Sequence, residues 1–546
     1  MDLKMQSIHM NRVKCRETFQ LRIDDDVNVP DQKPDVRMIV WKNGTVRLSE
    51  KKMSGERLYL KGAFVYHVLY LSDDKDRMVQ SVRGEIPFDE SVELTEGCAG
   101  ASVSVKTEVE GLQIGMIHSR KLSVRAEIGI LAQTEELHDV RAAVGTNAAG
   151  LQTPDGAMAL MGERNADTLA LTPSCGQKIH TRSRRILFTS IAANKKDTAR
   201  LREEMFLPSG KESVGELLFW ELDLLHAEAK PREEAVEVRG ELSMLGIWKS
   251  EREEGEPEYL EAILPFKTEF EISGCREGMI EDVLFHLTNE SVSIKSDEDG
   301  ENRLFVAEGV LEAEMKLYEE GEAEILSDLY AQDSRLTPVY AEEEYETLLM
   351  KNDSRMRLAE HLALPEGLPD ILQICRGKAE LHPDVCVRDG EALRMSGTVE
   401  AGILYISGED ERPLAAYHTS IPFEHRIELR GLSENSTYDI QCQVVDTSFG
   451  TVRNREAELK AELAFSVIAT DKCRERVITG VTCEEFEEDW LEKLPSMIGY
   501  TVKPGEELWD IAKKFFVAEE EILRPGEHGT QLREGEQLLI VKPVPA

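Results

Sequence analysis

The chain has 546 residues, with 65 Lys and Arg against 104 Asp and Glu, so its formal net charge is −39. This length exceeds what one hydrophobic core usually organises and predicts about three or four domains. Apolar residues make up 41% and charged residues 31%, a balance typical of folded globular domains. The negative charge repels phosphate backbones and anionic lipids, which argues against nucleic acid as a partner.

The first twenty residues lack the apolar run of about 7 to 15 residues that a secretory signal requires. No stretch of about 18 apolar residues occurs elsewhere, so no transmembrane segment is expected. The cysteines are odd in number and contain no Cys-x-x-Cys pair, which favours reduced thiols in a cytoplasmic protein. They are Cys15, Cys98, Cys175, Cys275, Cys375, Cys386, Cys442, Cys473 and Cys483.

The chain contains a threefold repeat, because segments 30–88, 208–266 and 365–423 align with one another without a gap. Each copy opens with a proline, carries a glycine 32 positions later, and ends on a Pro-Phe dipeptide at a fixed offset. The proline and glycine markers are Pro30, Gly62 and Pro87 in the first copy, Pro208, Gly240 and Pro265 in the second, and Pro365, Gly397 and Pro422 in the third.

Apolar and polar residues alternate around each glycine, as in 58–66 and 393–400, and this period of two predicts strands. A glycine inside such a run indicates a bulge or a close backbone approach, and the proline before Phe belongs at a strand start or edge. Each copy is followed by further alternating stretches, clearest at 121–128 and 458–463. One domain then covers about 120 residues, within the usual size of a domain.

A large aromatic residue lies eight positions after each repeat glycine, namely Tyr70, Trp248 and Tyr405. Recurrence there fits a shared ligand pocket or a shared packing position, and packing in the core is favoured. The opening turns of the first and third copies also share paired prolines, in 30–36 and 365–371. The second copy, at 208–214, lacks the second proline and the acid, so a function tied to that turn would be absent from it.

The predicted domain order is repeat 1 over 11–140, a connector over 141–180, repeat 2 over 181–335, repeat 3 over 350–470, an acidic linker over 471–496 and a small α+β module over 497–543. Small and polar residues without alternation fill 142–176, which is typical of a connector. The acidic stretch 483–492 is expected to be a solvated helix or linker; a partner-binding acidic motif is the alternative.

The repeat resembles the SPOCS domain of bacterial spore-coat proteins, in its opening turn 365–371 and in the strand from Gly397 to Tyr405. The resemblance extends over all three copies and thus over most of the chain. It implies a mainly β, multidomain fold and a role in assembling the protein coat around a developing endospore.

The last fifty residues predict a separate βααβ unit. Residues 500–503 alternate as a short strand, and the apolar positions of 508–515 recur at intervals of three and four as one helix face. A second short helix is expected over 518–523, and a final strand over 537–541. This unit is similar to a LysM domain over nearly its whole length.

LysM domains bind N-acetylglucosamine polymers between the turn before the first helix and the loop after the second. Glu506-Glu507 and Arg524-Pro525 stand here where Asp-Thr and Asn-Pro are common, and without a signal peptide the chain has no access to wall glycan. Protein binding is therefore favoured. Trp509 lies off the apolar helix face, so it either contacts a partner or packs at the edge. The candidate partner- or glycan-binding residues are Gly505, Glu506, Glu507, Leu508, Trp509, Leu523, Arg524, Pro525 and Gly526.

The sequence carries no catalytic signature. The phosphate-binding motif Gly-x-x-x-x-Gly-Lys-Ser/Thr is absent, and the histidines are dispersed without a His-Glu-x-x-His pattern. We therefore expect no enzyme activity, cofactor or metal. A wall hydrolase targeted by the LysM-like module would need a catalytic domain, and the repeats already account for the rest of the chain.

Three SPOCS-like repeats followed by one LysM-like module resemble clostridial spore-coat morphogenetic proteins. The resemblance implies a non-enzymatic scaffold in the mother-cell cytoplasm that docks onto the coat's basement-layer ATPase at the forespore surface and recruits other coat proteins. Several modest contacts on one chain would raise the local concentration of partners. The alternative is a peptidoglycan-binding protein that acts through its LysM-like module.

Overall fold

The computed structural model describes residues 3–74, 77–95, 102–146, 179–251, 257–486, 495–525 and 532–541. These residues form 21 β-strands and one α-helix, so the prediction of a mainly β fold is confirmed. No helix among them is long and apolar enough to cross a membrane. Most of the predicted connector 141–180 lies outside the described residues.

The strands fall into three sets of six that follow the repeat. The first copy contains β1 (Leu3–Asn28), β2 (Val36–Ser54), β3 (Arg57–Ser72), β4 (Val79–Glu93), β5 (Ser102–His118) and β6 (Lys121–Thr146). The second contains β7 (Ile179–Phe206), β8 (Val214–Arg232), β9 (Ala235–Ser250), β10 (Glu258–Glu271), β11 (Ile280–Ser296) and β12 (Asn302–Ala331). The third contains β13 (Ser334–Ala363), β14 (Ile371–Asp389), β15 (Ala392–Ser407), β16 (Leu414–Glu428), β17 (Ser436–Arg453) and β18 (Glu456–Glu485).

Each copy is built from two antiparallel sheets of three strands. The short-strand sheets have the orders β2-β3-β4, β8-β9-β10 and β14-β15-β16, and the long-strand sheets have the orders β1-β6-β5, β7-β12-β11 and β13-β18-β17. The two sheets of a copy enclose one apolar core, because alternate residues of each strand point inward. In β6, for example, Leu122, Val124, Ala126 and Ile128 are buried.

The repeat glycine in each copy lies opposite the phenylalanine of the Pro-Phe dipeptide. Gly62 pairs with Phe88, Gly240 with Phe266 and Gly397 with Phe423. A Cβ atom on Gly240 would lie 2.5 Å from the Phe266 ring and 2.5 Å from the His226 carbonyl oxygen. The predicted close backbone approach is thus confirmed. The prolines of the dipeptides lie on β4, β10 and β16, the outer strands of their sheets, as edge positions require.

The recurring aromatic residues lie in the cores and anchor the opening turns. Tyr70, Trp248 and Tyr405 are fully buried, which confirms their prediction as packing positions. Each donates its one polar hydrogen to a backbone carbonyl 36 residues earlier: Tyr70 to Pro34 at 3.0 Å, Trp248 to Glu212 at 3.2 Å, and Tyr405 to Pro369 at 3.0 Å. The aromatic position therefore combines apolar burial with a satisfied donor.

An arginine also holds each opening turn, which the sequence comparison did not show. Arg120, Arg303 and Arg455 each donate to the carbonyl oxygen of their opening proline at 2.9 Å. The second copy keeps this turn although it lacks the second proline, since Lys211 N donates to Pro208 O at 2.9 Å. Its Ser213 replaces the acid and donates to Glu301 at 3.1 Å.

The three copies close into a ring. The third strand of each short-strand sheet contacts the first strand of the next, β4 against β8, β10 against β14, and β16 against β2. One apolar cluster at the centre contains side chains of all three copies, including Leu69, Ile247 and Leu404, which share one repeat position. This head-to-tail arrangement returns to its starting copy, which is the condition for a closed ring.

Ion pairs accompany this apolar cluster, in a group that we call the hub: Trp41, Glu221, Asp223, Arg376 and Lys378. The side chain of Arg376 is only 3% exposed, and its guanidinium lies 2.8 Å from Asp223 and 3.6 Å from Glu221. Trp41 Nε1 donates to Glu221 at 2.8 Å. Burial opposes ionisation of Asp223, but Lys378 and Arg376 outweigh it and lower the pKa of this carboxyl.

The outer halves of the long strands extend beyond the sheets as three two-stranded ribbons. They pack on one another through a second apolar cluster that includes Phe188, Ile325, Tyr345 and Val477. The strand β18 continues to Glu485, so the acidic linker predicted over 471–496 is wrong for its first half, because those residues pair with β13. The predicted limits of repeat 3, 350 and 470, likewise fall inside strands.

The prediction that all cysteines are reduced is wrong, because Cys483 is disulfide-bonded; Cys98 and Cys175 lie outside the described residues. Cys15, Cys275, Cys375, Cys386, Cys442 and Cys473 are free thiols, whereas Cys483 is disulfide-bonded. Pairing requires two Cβ atoms about 4 Å apart, and spacing in the sequence does not report that distance.

The close approach at the repeat glycine makes a substitution there costly. We expect Gly240→Ala to lower the free energy of unfolding by about 2 kcal/mol, because the added methyl group meets backbone and ring atoms that cannot move independently. Urea unfolding of the full chain measures this. Gly450→Ala on β17 is the control, since a Cβ there would have no atom within 4 Å; equal effects of the two changes would contradict the explanation.

The hub predicts a larger effect. Arg376→Met should cost about 3–5 kcal/mol in unfolding free energy, since it removes the cation nearest to the buried Glu221 and partly buried Asp223 carboxylates and leaves Lys378, 3.8 Å from Asp223, as the remaining cation of the hub. The control Arg394→Met removes a half-exposed arginine whose nearest carboxylate, Glu424, is 3.9 Å away, and it should cost no more than about 1 kcal/mol. A loss for Arg376→Met as small as that of the control would show that the hub does not stabilise the ring.

Candidate protein-binding site

The C-terminal unit, residues 497–541, contains most of the predicted site residues. It consists of β19 (Met497–Thr501), α1 (Leu508–Phe515), a 3₁₀ turn (Glu519–Glu521), β20 (Ile522–Leu523) and β21 (Gln537–Val541). The strands form a sheet in the order β19-β21-β20. Ile511 and Ala512 of the helix are buried together with Val502, Ile522 and Ile540, so the unit has its own core.

Three of the four predicted elements of this unit are present, and the second helix is not. The helix expected over 518–523 is a single 3₁₀ turn followed by a short strand. Two interactions explain the difference: the Glu521 carboxylate accepts from Ala518 N at 2.8 Å, and Ile522 pairs with Ile540 of β21. Strand pairing therefore ends the turn before a helix can extend.

Acidic side chains in and next to the first candidate loop, residues 505–508, accept hydrogen bonds from nearby backbone N–H groups. Glu506 accepts hydrogen bonds from Lys503 N at 2.9 Å and from the Tyr500 hydroxyl at 2.8 Å, and these bonds lower the pKa of its carboxyl. Gly505 has a φ of 78°, which glycine adopts without strain. Glu507 N donates to Asp510 at 3.0 Å and so caps the helix. Of the two acids that depart from the LysM pattern, Glu506 thus has local partners for its carboxylate.

A partly buried ion pair fixes the second candidate loop, which begins at Leu523. The Arg524 side chain lies 2.8 Å from Glu536, with exposed fractions of 19% and 6%. Glu536 also accepts from Arg533 N at 3.0 Å. Leu523, which precedes this pair, is 51% exposed and Pro525 is also exposed. Gly526, another predicted site residue, lies outside the described residues.

Trp509 contacts the rest of the chain. Its Nε1 donates to Asp328 at 2.8 Å, and its ring meets Tyr330 edge to face at a centroid distance of 4.9 Å. Lys513, one turn further along α1, donates to the same Asp328 carboxylate at 2.5 Å. Both partners lie at the end of β12, and nothing in the sequence pattern marks them as neighbours of Trp509, because they are about 180 residues away.

The two candidate loops of the C-terminal unit differ in exposure: the first faces the ribbons, and the second is open to solvent. Glu507 forms an ion pair with Arg182 of β7 at 2.7 Å, so it faces the ribbons together with Trp509. Leu523 and Pro525 are exposed. An exposed leucine beside a rigid, ion-paired loop is suited to apolar contact with a protein partner.

Two large cavities lie between the copies of the repeat. One, of about 850 Å³, is lined by residues of all three copies, including Lys42, Asp223 and Lys378. Two side-chain pairs in this lining join different copies: Lys378 lies 3.8 Å from Asp223, and His382 lies 3.0 Å from Glu108. This lining is that of an interface between domains.

A comparison with protein families identifies two of the three copies. A family model described as "SipL, SPOCS domain" matches residues 35–117 and 370–452. These segments run from the acid of the opening turn through the short-strand sheet to the third strand of the long-strand sheet, in the first and third copies. No curated protein and no solved structure matches the chain.

The two matches define the class by similarity: two β domains of this chain, in its first and third copies, are similar to the SPOCS domain, which suggests a sporulation coat-related protein. More particularly, the matching model is that of SipL, and it matches the same segment of the repeat in both copies.

The ion pair under the second candidate loop gives a testable prediction. Glu536→Ala removes the acceptor of Arg524 and of Arg533 N, and should lower the local free energy of opening by about 2 kcal/mol. Hydrogen exchange of the Leu523 amide in the full chain measures this opening. Glu534→Ala, which removes an exposed acid two residues away, should leave the exchange unchanged; equal acceleration by both variants would contradict the assignment.

Proposed function

We propose that this protein is a non-enzymatic scaffold of spore-coat assembly, built from three SPOCS-type repeats and a C-terminal LysM-type unit. The single observation that carries the proposal is the match of two copies to the SPOCS domain of SipL. The second copy is included because it has the same two sheets, the same Gly–Phe pairing and the same arginine on its opening turn.

The architecture supports a scaffold. The ring fixes three similar domains at set positions, and its charged cavity lining is used for pairing between them. The C-terminal unit has a core of its own and presents Leu523 outward. A chain of this kind offers several separate surfaces, and simultaneous modest contacts on one chain give a high effective concentration of partners.

The proposed partner of the C-terminal unit is the coat basement-layer ATPase, stage IV sporulation protein A, at the forespore surface on the mother-cell side. Through this contact the ring would recruit further coat proteins. Protein binding is preferred to N-acetylglucosamine polymers because Trp509, the one aromatic among the candidate loop residues, contacts a carboxylate and an aromatic ring of a strand, which are groups that a protein presents and a neutral sugar polymer does not.

The test titrates the full chain separately with the purified ATPase and with a chitooligosaccharide. We expect saturable binding of the ATPase, weakened at least tenfold by Leu523→Glu, because a charge would replace exposed apolar contact area. The matched control is Leu372→Glu on β14, where a leucine is 63% exposed in the third copy. Saturable binding of the chitooligosaccharide without binding of the ATPase would overturn the proposal in favour of a peptidoglycan-binding protein.

A further inference from the structure

A small contact between the C-terminal unit and the ribbons, which we call the latch, centres on one carboxylate and one tyrosine. Its ribbon side is Asp328 and Tyr330, near the end of β12, and its other side is Trp509, Lys513 and the backbone of Val517. The Asp328 carboxylate accepts from both Trp509 and Lys513, at 2.8 and 2.5 Å. The Tyr330 hydroxyl donates to Val517 O at 2.8 Å, and its side chain is 1% exposed.

This contact has the geometry of a recognition site. Two donors on one face of α1 converge on a single carboxylate, and a charge-assisted pair of this kind is stronger than neutral hydrogen bonds. Beside it, the Tyr330 ring lies between Trp509 and His180, with centroid distances of 4.9 Å to each. The Trp509 face thus recognises one carboxylate and one aromatic ring, two residues apart on a strand.

The latch is also suited to opening. Among the buried residues of the unit's core cluster, Tyr330 is the only one that comes from outside the unit in the described part of the chain. A second aromatic contact joins Phe516 of the unit to Phe486, which follows β18, at a centroid distance of 4.9 Å. Polar contacts join Arg182 to Glu507 at 2.7 Å and Gln332 to Glu521 at 3.4 Å. A unit with its own core, held by two aromatic contacts and several polar pairs, can separate without unfolding.

We propose that the latch regulates the C-terminal unit: Asp328 and Tyr330 occupy the Trp509 face, and a protein partner that uses this face displaces them. This inference rests on the proposed function, because it concerns the same unit and the same partner. The displacing partner presents what the ribbon presents, a carboxylate and an aromatic side chain on an extended segment. Only molecules with an open latch can bind the partner. The apparent affinity is therefore the affinity of the open form multiplied by the fraction of molecules that are open.

The experiment opens the latch from the ribbon side, so that no residue of the C-terminal unit changes. Asp328→Arg in the full chain places a cation against Lys513. Glu324→Arg, at an exposed position four residues earlier on β12, makes the same change in charge without touching the unit. Tyr330→Phe removes only the hydrogen bond to Val517 and serves as a milder second variant. Hydrogen exchange of the α1 amides reports opening, and titration with the purified coat ATPase reports binding.

We expect Asp328→Arg to accelerate exchange in α1 and to tighten ATPase binding, each at least tenfold, with Tyr330→Phe intermediate and Glu324→Arg like the unchanged chain. Faster exchange with unchanged or weaker binding would overturn the latch as a regulator, while ATPase binding by the unchanged chain would leave the proposed function standing. Unchanged exchange in both ribbon variants would show that the contact does not hold the unit. Faster exchange with no ATPase binding by any variant would refute the proposed function, and the regulatory role with it.

Discussion

The arrangement of the three copies depends on one buried cation. Arg376 lies where the three short-strand sheets meet and pairs there with acids of the second copy, one of which also accepts from Trp41 of the first. Buried ion pairs contribute little net stability compared with apolar packing, but an unpaired buried charge is expensive. The hub therefore penalises wrong arrangements of the copies more than it stabilises the right one.

The same constraint explains why the copies have diverged. Trp41, Phe219 and Arg376 share one position of the repeat, eleven residues after the opening proline, and Asn43, Glu221 and Lys378 share another. At the second position the first copy contributes a neutral amide, the second an acid and the third a base; at the first position only the third copy carries a charge. If all three copies carried the acid, or all three the base, like charges would meet at the centre. Divergence at these positions gives each copy a defined neighbour, because a wrong arrangement of the copies would bring like charges together.

Features that lie within a copy and recur in each copy were predictable from the sequence. Contacts between parts of the chain that are distant in sequence were not. The glycine, the proline and the aromatic position follow from local geometry, so their spacing showed a β domain and its core. Arg120, Arg303 and Arg455 recur 90 to 95 residues after the opening prolines, and an insertion in the second copy hides that spacing. The pairing of Trp509 with Asp328, and of Arg376 with Asp223, depends on tertiary packing that no period encodes. The prediction of a second helix in the C-terminal unit was wrong for a related reason, because strand pairing with β21 outweighs local helix propensity.

The closure of β16 against β2 has a consequence for growth of any assembly. A linear array of repeats has two unsatisfied ends, which must be capped or else bind a further repeat. In the ring, the edges of the first and last copies contact each other. The surfaces that join the copies are therefore all covered within one molecule and cannot bind a second molecule. In the proposed scaffold, an assembly would therefore extend through the outer surfaces of the ring and through the C-terminal unit, and the number of repeat copies in each molecule of the assembly would stay fixed at three.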